Sequence, residues 1–355
     1  MSVKYVPVQW NGFKYLYDLA FIGAALLYLL LFLIWTPDLN GNPKQADGAI
    51  HIARAFGSCA FLMLTVILVI GPLARLDKRF LPLLYNRRHF GVFTFLIALT
   101  HATAVLNWYF NFSPTPKLEA LLGANTSYDL FIGFPIEALG LFALLSLATL
   151  ALTSHDFWLK FLTPRIWKSL HYLIYPAYAA LIGHVALGAL QDETNAVFAV
   201  VVGLSAALVS GLHVAVAFVE RRRAAGQTAA SDSGDWATVG DPDEIGEGFA
   251  KIVRLENGDR VAVFRHEGAF SAISNHCAHQ NGPLGEGRIV YGCVTCPWHG
   301  FQYDVRNGRS PPPFTETIPT YNLRLQRNQL EVNVNANPPG TETTPILAPN
   351  RETAA

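Results

Sequence analysis

Four side chains of this chain have the types and spacing that metal chemistry needs. Cys277 and His279 form a Cys-x-His pair, Cys296 and His299 form a Cys-x-x-His pair, and sixteen residues separate the two. Two thiolates and two neutral imidazoles suit a [2Fe–2S] cluster in which both cysteines hold one iron and both histidines hold the other. Thiolates stabilise ferric iron. Replacing two of them by neutral imidazoles raises the potential of the second iron and makes it the reducible one. The competing reading is a zinc half-site or redox pair at Cys293-Val-Thr-Cys296. It leaves Cys277, His279 and His299 unexplained, and no second Cys-x-x-Cys exists in the chain. Cys293 therefore reads as a buried strand residue just before the second ligand loop.

A second set of ligands lies in or beside long apolar runs: His51, His89, His101, His171, His184 and His213. Ionisable side chains at membrane depth are functional candidates. At ~1.5 Å per residue, His101 sits roughly 15 Å into the third run and His184 roughly 22 Å into the fifth, so the two can clamp one b-type haem in the outer half. His171 lies near the inner surface. The thirteen residues from His171 to His184 do not share a face on a straight helix, although Pro176 between them can kink it. A second, inner haem using His171, with His89 or His213 as partner, stays open.

These ligands need two kinds of scaffold, and the composition supplies both. The 355 residues are 51% hydrophobic and 15% charged, with 26 basic and 26 acidic residues. The balance gives no reason to expect nucleic acid as a partner. Six apolar runs, near 16–35, 50–72, 91–110, 131–152, 169–190 and 196–219, reach the ~20 residues that a bilayer crossing needs. The first reads as a retained membrane helix rather than a cleaved signal peptide. Arg75, Lys78, Arg79, Arg87 and Arg88 crowd one loop, Lys160, Arg165 and Lys168 another, and Arg221-Arg222-Arg223 follow the last run. The alternate loops carry only Lys44 and Lys117. This asymmetry predicts both termini on the cytoplasmic side. The expected architecture is multidomain: an all-α six-helix transmembrane bundle over 1–220, a polar linker over 221–235, a small all-β domain over 236–335, and a Pro/Thr/Ala-rich disordered tail over 336–355.

The segment CAHQNGPL…CPWHGFQYD resembles the Rieske [2Fe–2S] domain family in its ferredoxin-like branch. The resemblance implies Cys277 and Cys296 on one iron and His279 and His299 on the other. Quinol-oxidising members carry an extra Cys in each ligand loop and a Ser after the second HG. Here Gly282, Trp298 and Phe301 stand in those places, so fewer donors reach the sulfurs and a lower potential is expected. The stretches ARAFGSCAFLMLTVILVIGPLARL, RRHFGVFTFLIALTH and RIWKSLHYLIYPAYAALIGH resemble the ferric-reductase-like transmembrane domain. That resemblance implies His101, His171 and His184 as haem histidines. Arg54 resembles an arginine near the outer face of that domain, as a propionate partner or an interfacial anchor. No Gly-rich dinucleotide fingerprint follows a strand, so the flavin and nicotinamide modules of some relatives are not expected. No histidine follows His299, so the two-His-one-carboxylate iron of an oxygenase is not expected.

The expected function is single-electron transfer between a cytoplasmic [2Fe–2S] cluster and one haem b, or two, with onward passage to an acceptor outside. The donor would be a reductase or ferredoxin, or a quinol, and the lipid bilayer is the surrounding partner. A redox sensor or assembly subunit, or a terminal metal or oxygen reductase, are the alternatives.

Overall fold

The computed structural model describes residues 12–39, 48–84, 86–123, 125–130, 133–154, 158, 166–167, 169–192, 196–225, 234–279, 281–290, 292–297, 301–312 and 314–349. It divides into two units, one helical and ending at Val216, the other β-rich and beginning at Ala217.

The helical unit contains α1 (Gly12–Leu39), α2 (Gly48–Leu76), α3 (Arg87–Phe110), α4 (Ile136–Leu152), α5 (Ile174–Leu187) and the greater part of α6 (Ala196–Ala225), whose residues from Ala217 on belong to the other unit. Five stretches among the described residues are long and apolar enough to cross a membrane, and α4 is a shorter apolar helix of 17 residues. It starts only at Ile136, because Pro135 supplies the extended residue ahead of the first turn. Large apolar side chains such as Leu26, Leu30, Val66, Leu145, Leu204 and Val214 point outward. In water so much exposed apolar surface would drive association, whereas against lipid it costs nothing. The chain is a membrane protein.

Within this unit Phe61, Leu64 and Leu68 of α2 pack with Leu147 of α4, Tyr178 of α5 and Val202 and Val209 of α6. Tyr178 stacks on Phe61, and its hydroxyl shares a 2.9 Å hydrogen bond with Thr65. The fifth span is interrupted. Residues 172–173 form a turn after His171, and α5 begins at Ile174. The break thus falls before Pro176, which lies in the first turn of α5, where its missing N–H leaves no helical bond unmade. The expected linker also starts later. Residues 221–225 continue α6, consistent with the helix propensity of its Arg and Ala residues.

The β unit contains β1 (Trp236–Gly240), β2 (Ala250–Arg254), β3 (Arg260–His266), β4 (Ala269–Ser274), β5 (Arg288–Val290), β6 (Cys293–Thr295), β7 (Gln302–Asp304), β8 (Thr320–Tyr321), β9 (Leu323–Gln326), β10 (Gln329–Asn333) and β11 (Ile346–Leu347). They form three antiparallel sheets, ordered β1-β10-β9, β11-β4-β3-β2 with β8 on β4, and β5-β6-β7. Alternating inward residues make two cores. One joins Val239, Val261, Phe270, Tyr321 and Leu330. The other joins Ala262, Phe264, Ile273 and Tyr303 with Cys277 and Cys296 themselves.

The expectation of a disordered tail from residue 336 does not hold for 336–349. Asn337 N–H donates to Thr320 O, Thr343 N–H to Arg306 O, and Ala348 N–H to Gly268 O, while β11 pairs with β4. Composition suggested disorder, but these backbone bonds give the segment an ordered path. Residues 350–355 lie outside the described residues.

Candidate functional site

The expected cluster ligands sit on two loops, each joined at one end or both to the small β5-β6-β7 sheet. The first, between β4 and β5, carries Cys277 and His279; the second, between β6 and β7, carries Cys296. His299 lies outside the described residues. Both loops close in the same way. Cys277 N–H donates to Gly282 O at 2.9 Å, and Cys296 N–H donates to Phe301 O at 2.7 Å. In each case the cysteine amide reaches the carbonyl five residues on. Each bond ties the two ends of its loop together.

The first loop is moored to the larger core. Asn275, 2% exposed, donates its N–H to Arg260 O and accepts from Leu284 N–H, and its side chain accepts from Gly285 N–H. Gly285 has no alternative there, because a Cβ would come within 2.6 Å of Ile252 Cγ1.

The donor chemistry fits a [2Fe–2S] cluster. Cys277 and Cys296 are 1% and 2% exposed, and both are free thiols. Buried thiolates are tolerable only beside a cation, and iron deprotonates its thiol ligands. His279 lies in the same loop as Cys277, its ring stacked on Phe301 with centroids 4.2 Å apart. Among the described residues no three His, Cys, Asp or Glu side chains hold an ion by themselves; the described donors are two thiols and one imidazole. Cys293 lies on β6, paired with Val290 and Asp304, and burial followed by the Asp304 charge pushes its thiol up. It is a strand residue held as a thiol, as expected.

The sequence reading missed Tyr303. It is fully buried, and its hydroxyl lies 3.5 Å from Cys277 Sγ. Burial first, then the Cys277 thiol, pushes the phenol far above the ordinary tyrosine range. With iron bound, Cys277 would be a thiolate with no proton, so the hydroxyl would be the donor to sulfur. Tyr303 adds a hydroxyl beside Cys277 to the positions named from the sequence, Gly282, Trp298 and Phe301. Its signal was the alternation Phe301-Gln302-Tyr303, which turns both aromatics to the same face of β7.

In the helical unit His101 and His184 meet. Their ring centroids are 6.4 Å apart and their planes 78° apart. Two imidazoles bound through nitrogen on opposite sides of one metal ion, at ~2.0 Å per bond, have ring centres roughly 6 Å apart. His101 Nδ1 lies 2.7 Å from Ala53 O and His184 Nδ1 lies 2.8 Å from Ile136 O. A carbonyl only accepts, so Nδ1 carries the proton in both rings and each Nε2 is left with a lone pair. This is the arrangement in which histidine ligates metals. The residues present fit a haem held between them.

The other histidines are held elsewhere. His171 stacks on Trp167, centroids 3.7 Å apart, with Nδ1 on Trp167 O at 2.9 Å, and it lies within electrostatic reach of Arg87 and Arg88. His89 is paired through Nδ1 with Asp18 at 2.8 Å, and Asn86 also bonds Asp18. His213 meets the ring of Tyr175 edge-on.

A β domain with curled cysteine loops, in one chain with a histidine-bearing membrane bundle, defines an electron-transfer protein. The Rieske [2Fe-2S] domain family matches residues 235–322, and the family described as ferric reductase like transmembrane component matches residues 55–182. The chain is 35% identical over 101 residues to the anthranilate 1,2-dioxygenase ferredoxin subunit of Burkholderia cepacia, covering 28% of this chain and 93% of that protein. It is 29% identical over 98 residues to the ferredoxin component of the p-cumate 2,3-dioxygenase system of Pseudomonas putida, covering 27% and 83%. The solved ferredoxin of carbazole 1,9a-dioxygenase from Nocardioides aromaticivorans aligns at 25% identity over 28% of this chain and 99% of that one, with a TM-score of 0.27. The chain belongs to the Rieske [2Fe–2S] family through its β domain, fused behind a ferric-reductase-like transmembrane component.

Proposed function

We propose that this protein passes single electrons between a [2Fe–2S] cluster at its cytoplasmic β domain and haem b in the outer half of its membrane bundle, for an acceptor beyond the membrane. When bound, each group supplies a one-electron couple. Cys277 and Cys296 hold one iron, and His279 and His299 the other. Tyr303 donates to the Cys277 sulfur, and Phe301 keeps water from His279. His101 and His184 hold the haem. His171 would serve a second haem at the inner side, where Arg87 and Arg88 offer charge to an anionic group. The donor is a soluble reductase or ferredoxin, with quinol as the alternative. The bias of Lys and Arg toward alternate loops supports a cytoplasmic β domain and an inner-membrane location.

The observation that carries this reading is the pairing of His101 with His184, both with protonated Nδ1, in one chain with the two cysteine loops. A combined optical and EPR redox titration of the detergent-purified protein tests it. The expected result is one Rieske-type signal and at least one low-spin haem, with the haem reduced once the cluster is. A haem that stays oxidised beside a reduced cluster would sink the conduit and leave a sensor or assembly role.

A further inference from the structure

The two haem histidines sit in half-sites built to one plan. Each meets a backbone carbonyl 48 residues earlier, Ala53 O for His101 and Ile136 O for His184. Each ring also lies against a glycine one helical turn past that carbonyl. A Cβ at Gly57 would come 2.8 Å from His101 Nδ1, and a Cβ at Gly140 would come 2.8 Å from His184 Cε1 and 2.9 Å from its Nδ1. At the same offset some buried positions coincide, while buried Cys59 falls on exposed Phe142. Ala60 and Leu64 of α2 match Ala143 and Leu147 of α4, and Thr94 of α3 matches Ala177 of α5, all of them buried.

Helix geometry explains why glycine stands at both places. Every Cα–Cβ bond tilts toward the helix N-terminus, so the side chain at i+4 covers the carbonyl at i. The carbonyls of Ala53 and Ile136 are open to an imidazole from outside because residues 57 and 140 have no side chain. Ordinary non-bonded contact needs about 3.5 Å. An added methyl would fall short of that by more than half an ångström and would push the ring off its carbonyl. The carbonyl bond is what places the proton on Nδ1 and aims Nε2.

We infer that α2–α3 and α4–α5 are two copies of one helix hairpin, and that Gly57 and Gly140 are paired positioning residues that let each copy hold its histidine with Nε2 toward a shared haem iron. This rests on the reading of His101 and His184 as haem ligands. Neither glycine touches the metal; each acts through its histidine.

The test uses the full-length detergent-purified protein and the variants Gly57→Ala and Gly140→Ala. Gly91→Ala on α3 and Gly203→Ala on α6 serve as controls, since nothing lies within 4 Å of a Cβ at either place. Each of the first two should lose the low-spin bis-imidazole haem signal, in optical and EPR spectra, while keeping the cluster EPR signal. The controls should keep both. Pulsed EPR of the unsubstituted ferric haem should show matched couplings to two remote imidazole nitrogens, a readout that does not depend on a variant accumulating. A wild-type haem spectrum and potential in either alanine variant, or unequal remote couplings, overturns the inference alone. If the unsubstituted protein holds no bis-imidazole haem, the ligand assignment beneath it falls instead.

Discussion

The imidazole of His279 lies flat on the phenyl ring of Phe301, with centroids 4.2 Å apart and planes 13° apart, and the ring of Phe314 packs against Phe301 with centroids 5.0 Å apart. A side chain from the second ligand loop thus covers a ligand of the first. A cluster with two thiolate and two imidazole ligands is neutral when oxidised and carries one negative charge when reduced, and an apolar cover disfavours the charged state. Phe301→Ala should admit water and raise the potential, by roughly the 60 mV that ~1.4 kcal/mol makes for one electron. Phe301→Tyr, which keeps the ring, should stay near the original value. Protein-film voltammetry reads both, and a fall in potential for the alanine variant would refute the account.

Tyr303 acts in the opposite sense. Its hydroxyl donates to Cys277 Sγ, and that bond strengthens as the sulfur gains electron density. Tyr303→Phe should lower the potential by about 40–90 mV, the one-electron equivalent of ~1–2 kcal/mol. With Tyr303 as a donor and no side-chain donor at Gly282 or Phe301, the unsubstituted cluster should titrate in the lower part of the Rieske range, below about +200 mV. A titration above that value would contradict the assignment of donors.

The two sets of ligands should separate cleanly. His101→Ala and His184→Ala should each remove the haem spectrum and leave the cluster EPR signal. His299→Ala should abolish the cluster signal and leave the haem. The crossed pattern would overturn the division of ligands between the two units.

Alkaline stability should depend on Tyr321. Its phenol is buried in the core of the β unit and pushed up to about 12, first by burial and then by Asp259. The folded state holds the proton more tightly than the unfolded chain, so this contribution is present below pH ~10 and lost as pH rises from there through ~12. Holding that proton more tightly in the folded state contributes about 2–3 kcal/mol. Tyr321→Phe should flatten the fall in stability of the β unit across that window, measured by chemical denaturation at a series of pH values. An unchanged profile would show that another group titrates there.

Much of this was readable from residue types. The cysteine and histidine spacing, the turn signals between short β runs and the apolar runs of the bundle are all carried by side-chain identity, and His101 and His184 stood out as histidines at comparable depth. The partners of those histidines were not readable. Ala53 and Ile136 contribute carbonyl oxygens, which every residue possesses, and only the neighbouring glycines mark the places. Tyr303 and Phe301 were visible as aromatics, but their contacts with Cys277 and His279 exist only once two loops distant in sequence have folded together. The Pro/Thr-rich composition of 336–349 misled because its order comes from backbone bonds to Thr320, Arg306 and Gly268.

That last segment has a consequence for solubility. β4 pairs with β3 along one side, and along the other it is met by β8 at Ala272–Ile273 and by β11 at Phe270 and Ala269. Without residues after 335, the N-terminal half of β4 would be an unprotected strand edge, with amides and carbonyls open to pairing with another chain. By pairing at Phe270 and Ala269, Ile346 and Leu347 act as a guard rail that occupies this edge of the sheet.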